Sequence, residues 1–349
     1  MNLFKKQVST IGLDVGTSMV KTVKMSRKGE DIFLESYGLE ALEEGAVQSG
    51  EFRNPSSVAQ AALNAVEKCN PADKFVVVSL PNFSILSEVL TLDLIPEKKM
   101  REAVMIEAER ITPFDMSEME VDYSVLEKDQ ESGKMRVLMV AAKQDIIMTY
   151  IDVLSEAGLQ PSIIDVDLFA LANIFHLNYD ADQYRSSILI NIGTDSTVAA
   201  FLQNGSFHSS REISVSGVDF RKHLEFLPNM TLDKMYNIMQ GHVDPELDPE
   251  SVANAINSTG RNFVNAVGVA ISYFQAFDNV DTVDYIVLTG GYARIPGLTN
   301  MLELRTGAEV TVLDPFRRVQ ISEGAVTDED LDALGAKLAV AMGLASRKY

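Results

Sequence analysis

Gly12-Leu13-Asp14-Val15-Gly16-Thr17 and Leu189-Ile190-Asn191-Ile192-Gly193-Thr194 are two copies of one pattern, 177 positions apart in a chain of 349 residues. Each copy ends an apolar stretch with an acid or an amide, followed after one residue by a glycine and a hydroxyl. Val8–Val15 and Met19–Met25 flank Gly16-Thr17-Ser18, and Ser187–Asn191 and Thr197–Leu202 flank Ile192–Ser196. Both copies read as strand, glycine turn and returning strand. An offset of half the chain points to two related lobes. A glycine lets the turn's backbone approach a ligand closely, and successive N–H groups and hydroxyls there can hold phosphate oxygens. Asp14 shares its strand face with Gly16 and can face a magnesium-bound water. Two such turns facing each other would clamp a triphosphate. A later apolar run, Tyr285–Thr289, leads into a further glycine corner, Gly290-Gly291.

Outward from the first copy, Ile32–Leu39 reads as a third strand. Asn54-Pro55 reads as an N-cap with proline at the first helical position, opening a helix over Ser56–Lys68. Val58, Ala61, Ala62, Ala65 and Val66 share one face of it, and Phe75–Leu80 suits a buried strand. Residues 83–165 read as a separate α+β insert. It starts with a strand over Phe83–Leu92 and a helix from Pro96 to about Arg110, which Pro113 prevents from continuing. Strands Val121–Glu127 and Met135–Ala142 and a helix Asp145–Glu156, stopped by Gly158, complete it. After the second copy come a strand Phe207–Ile213, helices Val218–Phe226, Leu232–Gln240 and Glu250–Phe277, and a final helix Asp330–Ser346.

With 46% hydrophobic residues the chain has ample material for a core, and its length suits two domains or one bilobed fold. Fifty acidic against thirty basic residues give a net charge of −20, which argues against nucleic acid and anionic lipid as partners. One cysteine, Cys69, excludes an internal disulfide or cysteine metal cluster, and four scattered histidines match no zinc spacing. Asp14 interrupts what would be a signal-peptide core, and no apolar run reaches the roughly 18 residues of a membrane span. The expected location is the cytoplasm, with any membrane association through a partner.

Ile11–Lys21 and Asn191–Thr197 resemble the two phosphate motifs of the superfamily of actin, heat-shock chaperones and sugar kinases, and Tyr285–Gly297 resembles its adenosine motif. Glu107–Phe114, Val137–Lys143, Gly158–Asn173 and Ala339–Ala345 narrow the resemblance to the PilM family, actin-like proteins of type IV pilus assembly, itself similar to the cell-division protein FtsA. The resemblance covers nearly the whole chain. It implies an α/β fold: an actin-like (ribonuclease H-like), two-lobed ATPase fold with a small α+β insert of the 1C type. The first lobe would comprise 1–82, 166–184 and 330–349, and the insert 83–165. The second lobe would comprise 185–230 and 280–329, with a helical subdomain at 231–279.

The resemblance further implies ATP and Mg2+ as cofactors. Asp14 matches the acid that organises metal and phosphates, and Asp167, with Asp165 nearby, the acid that positions the attacking water. Either of the latter could instead cap the following helix. Gly16, Thr17, Ser18 and Lys21 match the first phosphate turn, although Lys21 could also be a solvated strand lysine. Asn191, Gly193, Thr194, Asp195 and Ser196 match the second turn, and Gly217, Gly290, Gly291 and Tyr292 the remaining ligand contacts.

Three departures weaken the site. Asn191 replaces an aspartate, with Asp195 as a possible substitute; Ser216-Gly217 replaces paired glycines; Tyr236 and Met239 fall where a Glu and a Lys usually serve base and ribose. Slow hydrolysis at most is expected. The implied partner is a PilN-like inner-membrane protein, whose cytoplasmic N-terminal peptide enters a groove beside the insert. Other pilus machinery, including assembly ATPases, and further copies of the chain are additional implied partners. The acidic surface favours a peptide carrying Lys or Arg. The chain stops at Ser346-Arg347-Lys348-Tyr349 without a spare amphipathic segment, which argues against direct membrane insertion. The competing readings are a degenerate scaffold without nucleotide, an FtsA-like division protein and a small-molecule kinase.

Overall fold

The computed structural model describes residues 8–347, apart from 49, 72–73, 243, 279, 281 and 327–330. Strands β1 (Val8–Val15), β2 (Met19–Lys28) and β3 (Asp31–Ala41) form an antiparallel meander, followed by a two-residue hairpin of β4 (Val47–Gln48) and β5 (Glu51–Phe52). Helix α1 (Pro55–Lys68) starts where the Asn54 side chain accepts the Ser57 N–H at 3.2 Å, as its N-cap sequence predicts. All five expected apolar residues on its inner face are buried. Strand β6 (Phe75–Leu80) then pairs parallel with β1.

The insert contains β7 (Ile85–Asp93), α2 (Glu97–Ile111), β8 (Met119–Asp129) and β9 (Lys134–Lys143), in a sheet of order β7-β9-β8. Met100, Val104 and Ala108 turn one face of α2 onto that sheet and close a small core of their own. The next two elements differ from the sequence reading, which placed everything to residue 165 in the insert. Helix α3 (Gln144–Glu156) buries Tyr150, Val153 and Leu154 in the core shared by α1 and β1. Strand β10 (Gln160–Val166), which was not expected as a strand, pairs parallel with β6 at the edge of the first sheet. The chain thus returns to the first lobe at α3, and the self-contained part of the insert is 85–143.

Helix α4 (Asp167–Asn178) leads into the second lobe, whose hairpin β11 (Ser186–Ile192) and β12 (Thr197–Gln203) repeats β1 and β2. Strand β13 (Ser206–Ile213), α5 (Gly217–Leu224), α6 (Leu232–Met239) and α7 (Pro249–Asp278) follow. Then come β14 (Tyr285–Thr289), α8 (Leu298–Thr306) and β15 (Glu309–Val312). This sheet has the order β13-β12-β11-β14-β15. Three residues expected in the second lobe, β16 (Val319–Ile321), cross back and pair with β3, completing a first sheet of order β10-β6-β1-β2-β3-β16. The last helix is α9 (Leu331–Ala345).

Helices α4 and α9 lie between the two sheets. Their apolar residues share one core with Val23, Leu34 and Val77 of the first sheet and Leu189, Ala200 and Val287 of the second. Alternation splits β11: Leu189 faces this central core, while Ile188, Ile190 and Ile192 face the outer core under α5 to α8. The small residues of α9 serve close packing. A Cβ at Gly12 would lie 2.0 Å from the Ala341 carbonyl, and one at Gly343 1.9 Å from that of Ala170. This sandwich points both hairpin turns into one cleft. Among the described residues no helix is long and apolar enough to cross a membrane.

Candidate functional site

The two turns have the same construction. The Gly16 N–H donates to the Met19 carbonyl at 3.1 Å, and the Gly193 N–H to that of Ser196 at 2.9 Å, the same pair of positions 177 residues on. They also meet: the hydroxyls of Ser18 and Thr194 are 3.0 Å apart across the lobes. Between and beneath them lies a cleft of about 480 Å³.

Thirteen of the fifteen residues expected to form a ligand site line this cleft. They are Asp14, Gly16, Thr17, Ser18 and Lys21 from the first turn, Asp167 at the start of α4, Asn191, Gly193, Thr194 and Ser196 from the second turn, and Gly290, Gly291 and Tyr292. Gly290 has φ +92°, and a Cβ there would meet the Asn191 Oδ1 and the Ile192 carbonyl, each at 2.5 Å. Only glycine fits a corner both left-handed and this crowded.

Gly217 and Asp195 do not line the cleft. Gly217 acts one step away: its N–H donates to the Gly193 carbonyl at 3.0 Å, and a Cβ would lie 2.4 Å from the Tyr292 ring. Its bareness lets that ring pack beneath the second turn, where the Tyr292 N–H donates to the Ile192 carbonyl at 3.2 Å. Asp195 sits exposed at the turn's tip. Asp165 is also outside the cleft, buried against the Arg347 guanidinium at 2.5 Å. Tyr236 and Met239 do line the cleft, as their register on α6 suggests.

Charge is concentrated here. The Lys21 ammonium donates to the Asp14 carboxylate at 2.7 Å, with both side chains largely buried, so Lys21 is not a solvated strand lysine. Two cations that no local motif announced, Arg221 on α5 and Lys337 on α9, also line the cleft. The Arg221 Nε–H is buried and has no hydrogen-bond partner among the described residues. A chain of net charge −20 therefore brings three cations to one cleft, a setting suited to a phosphorylated anion.

Asp167 accepts a hydrogen bond from the Ser79 hydroxyl at 2.5 Å. Its pKa is nevertheless pushed up to about 7, chiefly by burial and then by the negative charge of Asp14. Tyr150 of α3 is buried beside both acids, and its phenol is raised in turn by burial and then by their charges. The Asp167 shift has a definite sign in stability. Between its unfolded pKa near 4 and its folded value near 7, the native state holds more protons than the unfolded one, so this group's contribution to stability falls as pH rises through that window. Asp167→Asn, which cannot ionise, should melt higher than wild type at pH 8 without nucleotide, and the gap should close toward pH 4. Thermal melts that run parallel across this range contradict the shift.

Among the described residues no group of three or more His, Cys, Asp or Glu side chains could hold a metal ion. The residues still suit a magnesium ion of the kind carried by phosphates, which keeps most of its waters and needs one or two carboxylates. Asp14, with Asp167 near it, would supply them.

A family model described as type IV pilus assembly protein PilM matches residues 12–349. Among solved structures, a chain of a PilM-PilN type IV pilus biogenesis complex is 24% identical, with a TM-score of 0.82 over 97% of this chain and 98% of that one. The ethanolamine utilization protein EutJ from Carboxydothermus hydrogenoformans is 13% identical, with a TM-score of 0.54 over 97% of this chain and 89% of that one. The two lobes, the repeated hairpins and these likenesses identify the actin-like fold. The match over nearly all its length places the chain in the PilM family of type IV pilus assembly proteins.

Proposed function

We propose that this chain is a nucleotide-binding scaffold of the type IV pilus assembly complex. It holds ATP with Mg2+ between its lobes and, at its insert, the cytoplasmic N-terminal peptide of a PilN-like inner-membrane protein. The observation that carries the nucleotide reading is the facing pair of glycine turns built on the same hydrogen bond, with Ser18 and Thr194 in contact. The backbone of Gly16–Ser18 and Gly193–Thr194 would grip the phosphates, Lys21 and Arg221 would neutralise them, and Asp14 would face the metal's water shell. When bound, magnesium supplies further neutralisation of phosphate oxygens.

The same residues favour holding ATP over cleaving it. Asn191 offers an amide where a carboxylate would attract the cation. Asp14 is already tied to Lys21. Asp167, the residue best placed to orient a water, is held partly protonated near neutral pH. Calorimetry should find magnesium-dependent ATP binding, with phosphate release well below the usual enzyme range of about 1–10³ per second. Asn191→Asp should tighten magnesium-dependent binding several-fold, since a charged contact is stronger than a neutral one. Wild-type turnover inside that range, or an Asn191→Asp protein with weaker magnesium dependence, contradicts this reading.

Support for the partner reading lies in exposed apolar side chains of the insert and of α3. Ile106 and Phe114 of the insert are exposed at 60% and 45%, and Met148 of α3 at 51%. The Lys143 ammonium lies 4.2 Å from the Phe114 ring centroid, and the neighbouring Thr112 hydroxyl is buried without a hydrogen-bond partner among the described residues. Apolar anchors beside an unsatisfied polar group suit capture of a short peptide.

A further inference from the structure

Acidic residues outnumber basic ones fifty to thirty in this chain, yet one long helix is almost free of charge. Residues 251–277, nearly all of α7, contain no acid and a single cation, Arg261, where a chain that is 23% charged would place several charges. The inner face of α7, with Phe263, Val267 and Phe274, fills the outer core of the second lobe. The opposite ridge is exposed and consists of Asn254, Arg261, Asn265, Val269, Ser272 and Ala276. Helix α8 lies alongside: a Cβ at Gly260 would be 3.0 Å from the Met301 sulfur, and one at Gly268 3.3 Å from the Arg305 guanidinium. Arg305 therefore lies beside the turn of α7 that carries Val269. Glu303, the one acid of α8, turns away and accepts the Val310 N–H of β15 at 3.3 Å. Among the described residues neither Arg261 nor Arg305 has an ion pair. Val269 is 59% exposed, Tyr273 53% and Leu304 80%.

We infer that this acid-free face of α7 and α8 is a contact surface for a second copy of the chain, joined head to tail. Helix α2 shows what a solvated helix of this protein looks like: its exposed side carries Lys98, Arg101, Glu102 and Glu109. The outer ridge of α7 has instead the composition of an interface, with apolar and aromatic side chains, arginine and no carboxylate. Its partner must be acidic, because both cations of the face are arginines without ion pairs. The remaining surface of this chain, with a net charge of −20, meets that requirement. Two-fold pairing of the face with itself would set Arg261 and Arg305 against their own copies with no acid of α7 to neutralise them. The contact therefore joins this face to a different, acidic face of the next copy, and copies add in a row or close into a ring. None of these side chains lines the cleft, so the inference stands apart from the nucleotide reading.

Sedimentation velocity of the whole chain across a wide concentration range tests this. Wild type should grow past the dimer as concentration rises, since a head-to-tail contact does not close at two copies. Arg261→Glu and Val269→Glu, both at exposed positions, should each raise the midpoint concentration at least about tenfold. Arg53→Glu makes the same charge change at another exposed position and should leave the midpoint within about twofold. Because Cys69 is buried, Asn265→Cys offers a single reactive thiol on the face. A thiol-to-amine cross-linker should join it to a lysine of the next copy, and a bis-maleimide should give few thiol-to-thiol dimers. A monomer at every concentration, association unchanged in both α7 variants, or thiol-to-thiol dimers as the main product would each overturn the inference. So would a monomeric wild type that binds vesicles of phosphatidylglycerol and phosphatidylethanolamine through Val269, because that result assigns the face to lipid.

Discussion

Gly16→Val should abolish measurable ATP binding, a loss of at least about 100-fold, while leaving the protein folded. The two effects separate because of where the new atoms go. A Cβ at Gly16 would lie 3.1 Å from the Lys21 ammonium and 3.1 Å from the Met19 carbonyl. Gly16 does not have positive φ, so valine is not excluded by its backbone conformation. The branched side chain must push Lys21 off Asp14 and fill the space where phosphate oxygens would meet the turn. It therefore removes a charge-assisted contact and blocks backbone approach together, and each of these alone costs on the order of 1–3 kcal/mol. Calorimetric titration with ATP and magnesium, with circular dichroism as the control for folding, reads the result. Unchanged affinity in a folded Gly16→Val protein would remove the first turn from the site.

The second large effect concerns the partner. Excising 85–142 and joining Ser84 to Lys143 through a short glycine linker should abolish capture of a PilN-like peptide and spare ATP binding. The cut is geometrically mild, because Ile85 and Ala142 are paired across β7 and β9. Such partners lie roughly 5 Å apart. It spares α3 and β10, which the wider span 83–165 would have torn from the first lobe. Leu138 packs on the central core, so the excised protein should melt lower than wild type. The double variant Ile106→Glu, Phe114→Ser avoids that cost, since both side chains are exposed, and should weaken the peptide at least about tenfold. Full retention of the peptide by the folded excised protein would refute docking at the insert.

The parts of this site that sequence makes legible are those set by local chemistry. Glycine turns between β-branched runs read directly as hairpins, and the offset between Gly16 and Gly193 exposes the repeat without any knowledge of packing. The periodicity of α3 reveals an apolar face but not the sheet that receives it, so sequence alone groups α3 with the strands that precede it. Strand β10 is interrupted by Pro161 and by a register shift before Ile163. A proline in an apolar run is a mark of an edge strand, and β10 is an edge strand, so a signal was present. Strand β16 is three residues long, too short for its alternation to show.

Arg221 and Lys337 were illegible for a different reason. Each is an ordinary helical cation in sequence, and only the meeting of α5, α6 and α9 at the glycine corner gives it a place in the cleft. Gly217 shows the converse: a glycine beside a phosphate-type turn reads as a ligand contact, whereas its smallness here makes room for the Tyr292 ring.

The most direct measurement is a crystal structure of the chain with a non-hydrolysable ATP analogue and magnesium. The expected density places the phosphates between Gly16–Ser18 and Gly193–Thr194, with Lys21 and Arg221 turned toward them, the metal's waters facing Asp14, and the base over Gly291 beside Tyr236. An empty cleft at saturating analogue, or a nucleotide bound elsewhere on the molecule, would contradict a nucleotide-holding scaffold.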